Sequence, residues 1–414
     1  MKRLILNNLV VVAFAVSATL TSCGNERLME MMYDENPVYG EMENTNDEDS
    51  YSGRDVYVTT YEFPNGGGST DVKLWKNGVS KDVSGINYVT SVYATDDDVY
   101  IAGFGLWYAA LWKNGEVQML SNYQSAASSV FVSGDDVYVA GNEYQILTDG
   151  QGEPPIIVMY SRNKAVTLPD NRNCYMGYHL STQTETGVKS SSEETLYTSV
   201  AKLWKNGEAQ DLTDGTYDAT AKSVYVSGED VYVAGRECNE KNIPVAKLWK
   251  NGEAQDLTDG NHEAWANSVF VLGDDVYVAG WEYIAEEKRV AKLWKNGKVI
   301  YLTDGTRDGW ANSVFVSGND VYVVGTERNT FGWEVAKLWK NGVAQNLTSE
   351  YNDHNVSAEA HSVYVSDSDV FVSGFVWNGD SRGSTIATLL INGEAQNLTN
   401  GGGKHGYAYS VFVK

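Results

Sequence analysis

Five of the twelve tryptophans, Trp265, Trp281, Trp310, Trp333 and Trp377, stand among polar residues in segments that read as connections rather than as core. Tyr407 occupies the same repeat position as Trp265 and Trp310. Aromatic rings beside hydrogen-bonding groups suit sugar rings, whose C–H faces stack on them, so these six are the candidate ligand-binding residues. The alternative is that they cap the core beneath the loops. Acids recur too. Glu62, Glu143, Glu237, Glu282 and Glu327 stand at one repeat position, and Asp214, Asp218, Asp259, Glu263, Asp304 and Asp308 recur in "TDGTYD", "TDGNHE" and "TDGTRD". Clustered oxygens of this kind are what a calcium ion needs. Asp-Gly turns closed by Asx hydrogen bonds explain the same letters without a metal. No cofactor is expected, and calcium is the one ion the pattern would suit.

Catalytic signatures are sparse. The five histidines form no HExxH pair and no zinc spacing, and neither a GxSxG elbow nor a phosphate loop is present. Carboxylates brought together from distant segments remain open to the chain, because sequence spacing does not exclude them.

A repeat positions these residues. "AKLWKNG" occurs four times, starting at Ala201, Ala246, Ala291 and Ala336, 45 residues apart. One unit, from Ser223 to Asn267, holds four short runs that read as strands: A (SVYV), B (DVYVAG), C (VAKLW) and D (EAQDL). Asn-Gly between C and D predicts a type I′ hairpin, since both residues tolerate positive φ. Four strands per 40 to 45 residues, repeated, predict an all-β fold, a β-propeller of four-stranded antiparallel blades. Asp55 to Lys414 spans eight units of 45, with a degenerate unit around Tyr160 whose A and B strands fall within Cys174 to Ser199. The expectation is therefore eight blades over residues 52–414; seven blades, with residues 170–199 as an insertion, is the alternative. The chain starts at a B strand and ends at an A strand, "SVFVK", so the last strand is expected to pair with the first. The A–B and C–D turns are tight and constant. The B–C and D–A connections are long and varied, and recognition is expected on their face. The tryptophans that end strand C (Trp75, Trp112, Trp204, Trp249, Trp294 and Trp339) read as core between blades.

The N-terminus carries an address. Lys2 and Arg3 precede an apolar run from Leu9 to Ala18, too short for a final membrane anchor and shaped like a secretory signal over residues 1–22. "LTSCG", from Leu20 to Gly24, resembles the lipobox of bacterial lipoproteins, which implies cleavage before Cys23 and acylation of that cysteine. Residues 23–51 then read as an acidic, self-repelling tether. That resemblance implies a bacterial cell-envelope protein, on the outer membrane or cell surface, touching the membrane through its lipid alone. Cys174 and Cys238 are left to pair or to stay free. The repeats are also loosely similar to secreted bacterial HAF-type repeats, through Ala201, Leu203, Trp204, Gly207, Asp211, Leu212 and their copies; this implies the fold and an extracytoplasmic setting.

The net charge of −24 sets the surface against nucleic acid and anionic lipid. Together these features lead to the expectation of a monomeric, non-enzymatic propeller that binds a glycan or a protein partner on its long-loop face. An extracellular carbohydrate-active enzyme, hydrolase or lyase, with carboxylates near the channel is the alternative.

Overall fold

The computed structural model describes residue 51 and residues 53–65, 69–105, 107–147, 196–285, 288–348, 357–377 and 383–414. These residues contain strands and turns and no α-helix. The strands form seven four-stranded antiparallel units, each running A-B-C-D. Two units share one larger sheet through a parallel bridge between Thr385 and His405. The A strands are Tyr88–Ala94, Ser125–Ser133, Ala219–Ser227, Ala264–Leu272, Gly309–Ser317, Ala358–Ser366 and Lys404–Val413. Each packs against the A strand of the next unit, and the last against the first. The D strands, such as Glu253–Asp256, are exposed at every position or nearly so and lie outermost.

The degenerate unit is corrected. Strand Asp136–Leu147 pairs directly with Leu196–Lys205, from Leu147↔Leu196 to Tyr138↔Lys205. These are the B and C strands of one unit, and residues 148–195 between them fall outside the described residues. Tyr160 and Cys174 fall outside the described residues, as do residues 1–50 with Cys23. The expected pairing of the two ends is present: Val413 lies opposite Val56 and Val411 opposite Val58.

Every letter of "SVYV" has a job between units. The serine hydroxyl accepts the backbone N–H of the first valine in the next A strand. Ser91 serves Val130, Ser129 Val224, Ser223 Val269, Ser268 Val314, Ser313 Val363, Ser362 Val411 and Ser410 Val92, at 3.1–3.4 Å. Both valines are buried, as Val224 and Val226 show. The aromatic between them touches its counterparts on either side. Tyr93, Phe131, Tyr225, Phe270, Phe315, Tyr364 and Phe412 follow one another with centroids 4.5–5.1 Å apart, and Phe412 returns to Tyr93. Burial pushes the phenols of Tyr93 and Tyr225 up, and that of Tyr364 to about 12.

"DVY" and "LWKNG" cooperate at the tight-turn end. Asn251 adopts φ 52°, its side chain accepts from Val231 N–H at 2.8 Å, and its amide donates to Asp230 at 2.7 Å. Lys250 reaches the other oxygen of Asp230 at 2.7 Å and lies over the Tyr232 ring. Five further units repeat this set; in the seventh, Arg54 takes the place of the lysine on Asp369. Trp204, Trp249, Trp294 and Trp339 are buried between adjacent units, Trp249 for example among Ala201, Leu203 and Val224, as core.

Candidate functional site

At the long-loop end each A strand carries a β-bulge, and an A–B pair recurs in all seven units one step beyond the pair that flanks the bulge. These pairs are Tyr88↔Phe104, Ala126↔Asn142, Thr220↔Arg236, Trp265↔Trp281, Trp310↔Thr326, Glu359↔Phe375 and Tyr407↔Tyr61. The bulged residues themselves are Thr90, Ser128, Lys222, Asn267, Asn312, His361 and Tyr409. A bulge inserts one unpaired residue and re-aims its side chain. These two tiers carry the most varied chemistry of the inner strands, and they form the candidate site.

The expected ligand residues fall into three groups. Trp265 stacks on Trp281 at 6.0 Å, with Arg236 over Trp265 at 4.4 Å. Arg289 covers Trp310 at 4.0 Å and reaches Trp281 at 5.5 Å, and Trp310 is buried. Trp333 and Trp377 stack on each other at 5.8 Å. Tyr407 stacks on Tyr61 at 5.3 Å, with Phe63, Phe375 and His405 around it. The placement in connections is corrected for all but Trp333: Trp265, Trp281, Trp310, Trp377 and Tyr407 stand within strands. The strands run one or more residues further toward this end than the "SVYV" and "DVYVAG" cores suggest, because the bulge keeps them paired.

The recurring glutamates are neutralised. Glu143, Glu237 and Glu327 pair with Lys202, Lys247 and Lys337 at 3.0–3.3 Å; Glu282 pairs with Lys292, and Glu62 faces Lys404 at 3.9 Å. The repeated Asp-Gly residues close Asx turns, with Asp214, Asp259 and Asp304 accepting backbone N–H groups two residues on. These backbone bonds at Asp214 and Asp259, and the Thr306 hydroxyl ahead of the backbone bond at Asp304, hold all three carboxyls below the usual carboxylate range. Asp218 is engaged by Arg236 at 2.6 Å and by Ser199, Glu263 accepts from the Trp265 indole at 3.0 Å, and Asp308 grips Arg289 through both oxygens. Among the described residues no group of three or more His, Cys, Asp or Glu side chains could hold a metal ion. Cys238 is disulfide-bonded; the other two cysteines, Cys23 and Cys174, lie outside the described residues.

One acidic group differs. Glu359 faces the Nε2 of His361 at 3.5 Å, and the two are 23% and 11% exposed. His361 Nδ1 lies 3.1 Å from the Ala408 carbonyl. A carbonyl only accepts, so Nδ1 carries a proton. Nε2 is the ring nitrogen turned toward the Glu359 carboxyl. The His361 ring is fixed by stacking on Tyr409 at 4.6 Å and by Phe375 at 5.5 Å. Tyr61 closes this wall through its hydroxyl, 3.4 Å from that of Tyr409; burial and then the neighbouring phenols push Tyr61 strongly up. Sequence reasoning passed over the bulge tier. Its signal is the variable letter before "SV" in Ala221-Lys222-Ser223, Ala266-Asn267-Ser268, Ala311-Asn312-Ser313 and Ala360-His361-Ser362.

No protein-family model and no curated protein matches the chain. Three solved structures are similar to it. A puromycin-hydrolyzing peptidase from Mycobacterium tuberculosis is 9% identical, with 82% of this chain and 53% of that one covered and a TM-score of 0.47. A puromycin hydrolase is 9% identical, covering 88% and 55%, with a TM-score of 0.49. The β-propeller domain of the Trilobed protease from Pyrococcus furiosus is 8% identical, covering 83% and 99%, with a TM-score of 0.45. The chain spans about half the length of the first two. The expectation of a non-enzymatic binding propeller is corrected against these neighbours, which by name are hydrolases or part of a protease. At this identity no residue role passes from them to this chain.

Proposed function

We propose that this chain is a seven-bladed, closed propeller that cleaves a carbohydrate polymer outside the cytoplasm, with Glu359 and His361 as its acid–base pair. Ring closure is supported by the seven serine-to-valine hydrogen bonds and by the unbroken succession of seven aromatic contacts. The observation that carries the catalytic reading is the approach of the Glu359 carboxyl to His361 Nε2 at 3.5 Å, with the His361 ring fixed in an aromatic wall at the long-loop end. The neighbouring carboxylates Glu237, Glu282 and Asp308 are instead paired with Lys247, Lys292 and Arg289. A carboxyl that exchanges a proton with a neighbour can protonate a leaving oxygen and take the proton back from water. Tyr407, Tyr61 and Phe375 supply faces on which sugar rings stack.

The lipobox, the acidic tether and the disulfide-bonded Cys238 support an envelope protein held by acylated Cys23, a monomer that meets the membrane through its lipid and does not bind nucleic acid.

The test is a turnover screen of residues 51–414 against plant, microbial and host polysaccharides, with a peptide panel in parallel, read as new reducing ends or new amines. The expected result is release of oligosaccharides that falls at least a hundredfold in Glu359→Gln while binding persists. Release of peptides alone, or a Glu359→Gln variant as active as the parent, overturns the assignment.

A further inference from the structure

Lys222 breaks the rule that its bulge tier follows. Five of the seven bulged residues find a polar partner. Thr90, Asn267, Asn312 and His361 reach the carbonyls of Ala127, Ala311, Ala360 and Ala408 on the next A strand, and Tyr409 reaches the Tyr61 hydroxyl. Lys222, half-buried, has no ion pair and no hydrogen bond among the described residues; its ammonium sits 5.2 Å from the centre of the Trp265 ring. Arg236 lies over the same ring at 4.4 Å. It spends Nη2 on Asp218 and directs Nη1 at the Cys238 sulfur, while its Nε is buried without a hydrogen-bond partner among the described residues. The nearby acids are engaged elsewhere, Asp218 by Arg236 and Ser199, and Glu263 by the Trp265 indole.

Two cations therefore share one tryptophan with one carboxylate between them. In a chain of net charge −24, a buried N–H and a half-buried ammonium left without an anion are an expensive arrangement, since each forfeits hydration without a full replacement. Cation–π contact with Trp265 returns only part of that cost. A ligand carboxylate that reaches the half-buried ammonium supplies the anion Lys222 lacks, within the field of the Arg236 charge on the same ring.

We propose that Lys222 and Arg236 form a subsite for the carboxylate of an acidic sugar residue, a uronic acid within the polymer. This rests on the carbohydrate reading of the long-loop end, and adds that the polymer is anionic.

Binding is measured calorimetrically at pH 7 on the Glu359→Gln background, where turnover does not interfere, with tetragalacturonate, with a neutral glucose tetramer and with tetraglutamate. The expected result is at least tenfold tighter binding of tetragalacturonate than of the neutral tetramer. That preference collapses to within twofold in Lys222→Met and survives in Lys222→Arg. Equal binding of the acidic and neutral sugars, or a preference that persists in Lys222→Met, overturns the subsite. Tighter binding of tetraglutamate than of tetragalacturonate overturns the sugar assignment. Should Lys222→Met fail to fold, judged by near-UV circular dichroism, the same preference is followed in the parent from pH 7 to pH 9.5, where it must fall as the ammonium loses its proton. A chain that prefers tetragalacturonate yet shows no turnover keeps this subsite and loses only the catalytic proposal.

Discussion

The side chain of Ser410 accepts a hydrogen bond from the backbone N–H of Val92 at 3.1 Å, across 318 positions of sequence. The same bond links every other successive pair of A strands, where the partners are 39 to 95 residues apart. Here it joins the last strand of the chain to the second unit, and with the β-pairing of Val413 and Val56 it ties the two ends of the described chain together.

Removing this hydroxyl leaves a buried backbone N–H without a partner. Ser410→Ala is expected to destabilise the protein by about 1–3 kcal/mol. Ser223→Ala deletes the equivalent bond between two units joined by unbroken chain, at a similar equilibrium cost. The two differ in local opening: hydrogen exchange of Val56 and Val58 should accelerate in Ser410→Ala and stay unchanged in Ser223→Ala. Equal exchange in both would mean that the ends are no weaker a seam than any other.

Truncation after residue 403 removes the A strand of its unit and exposes the edge of Val56–Pro64, including buried Val56, Val58 and Thr60. An open hydrophobic edge pairs with other copies. The truncated chain is expected to aggregate, and addition of a peptide spanning residues 404–414 to recover a soluble monomer, read by light scattering. A soluble, cooperative truncated chain would show that the terminal strand is dispensable.

The repeat announced the strands because each of its letters answers a local demand. Asn251 and Gly252 meet the positive φ of a tight hairpin, and Asp230, Lys250 and Tyr232 lock that turn. Those demands are met by neighbours in sequence or one hairpin away, so a single copy shows them. The partner of strand Asp136–Leu147 was not legible, because the 48 residues from 148 to 195 are nearly one repeat long, and length alone does not tell whether the "AKLWKNG" that follows belongs to the same unit. The candidate site was the least legible part. Glu359 and His361 meet across a bulge, and Lys222 acquires meaning only beside Arg236 of the next strand and Trp265 of the next unit. No spacing along one chain encodes those approaches.

The turn letters make their own prediction. Asn251→Ala puts a Cβ-bearing residue at φ 52°, where a side chain without a local hydrogen bond is disfavoured by roughly 1–2 kcal/mol, and it removes the bonds to Val231 and Asp230. Asn251→Asp keeps an acceptor for Val231 but faces Asp230 with like charge. Chemical denaturation should rank the parent above both variants; parity of Asn251→Ala with the parent would return the repeated Asn-Gly to chance.

Core and site predictions separate cleanly at Trp249. Its ring is fully buried between two units, and Trp249→Ala is expected to lose about 3–5 kcal/mol through the cavity it leaves. Trp281→Ala removes a half-buried ring that stacks on Trp265, so it should cost less stability and weaken sugar binding instead. Equal loss of stability in the two, with ligand binding untouched by Trp281→Ala, would make both rings scaffold.

Lys222 predicts an inversion of the usual relation between a buried charge and pH. Burial, and then the nearby Arg236 charge, pull its ammonium from the ordinary lysine value of 10.5 down to about 8. Between these two values the folded chain binds fewer protons than the unfolded chain, so this group makes the fold more stable as pH rises. Below about 8 both states carry the charge, and the full penalty of enclosing it is present. Lys222→Met should therefore be more stable than the parent at pH 7, with the gap closing toward pH 10. Affinity for tetragalacturonate moves the other way, because the ammonium that weakens the fold is the group that holds the carboxylate. A gap that is flat with pH would mean that Lys222 keeps its solution pKa, and with it full access to water. A site that weakens the empty protein and is completed by its ligand explains why a lysine stands where other units keep the polar contacts of Asn267, Asn312 and His361.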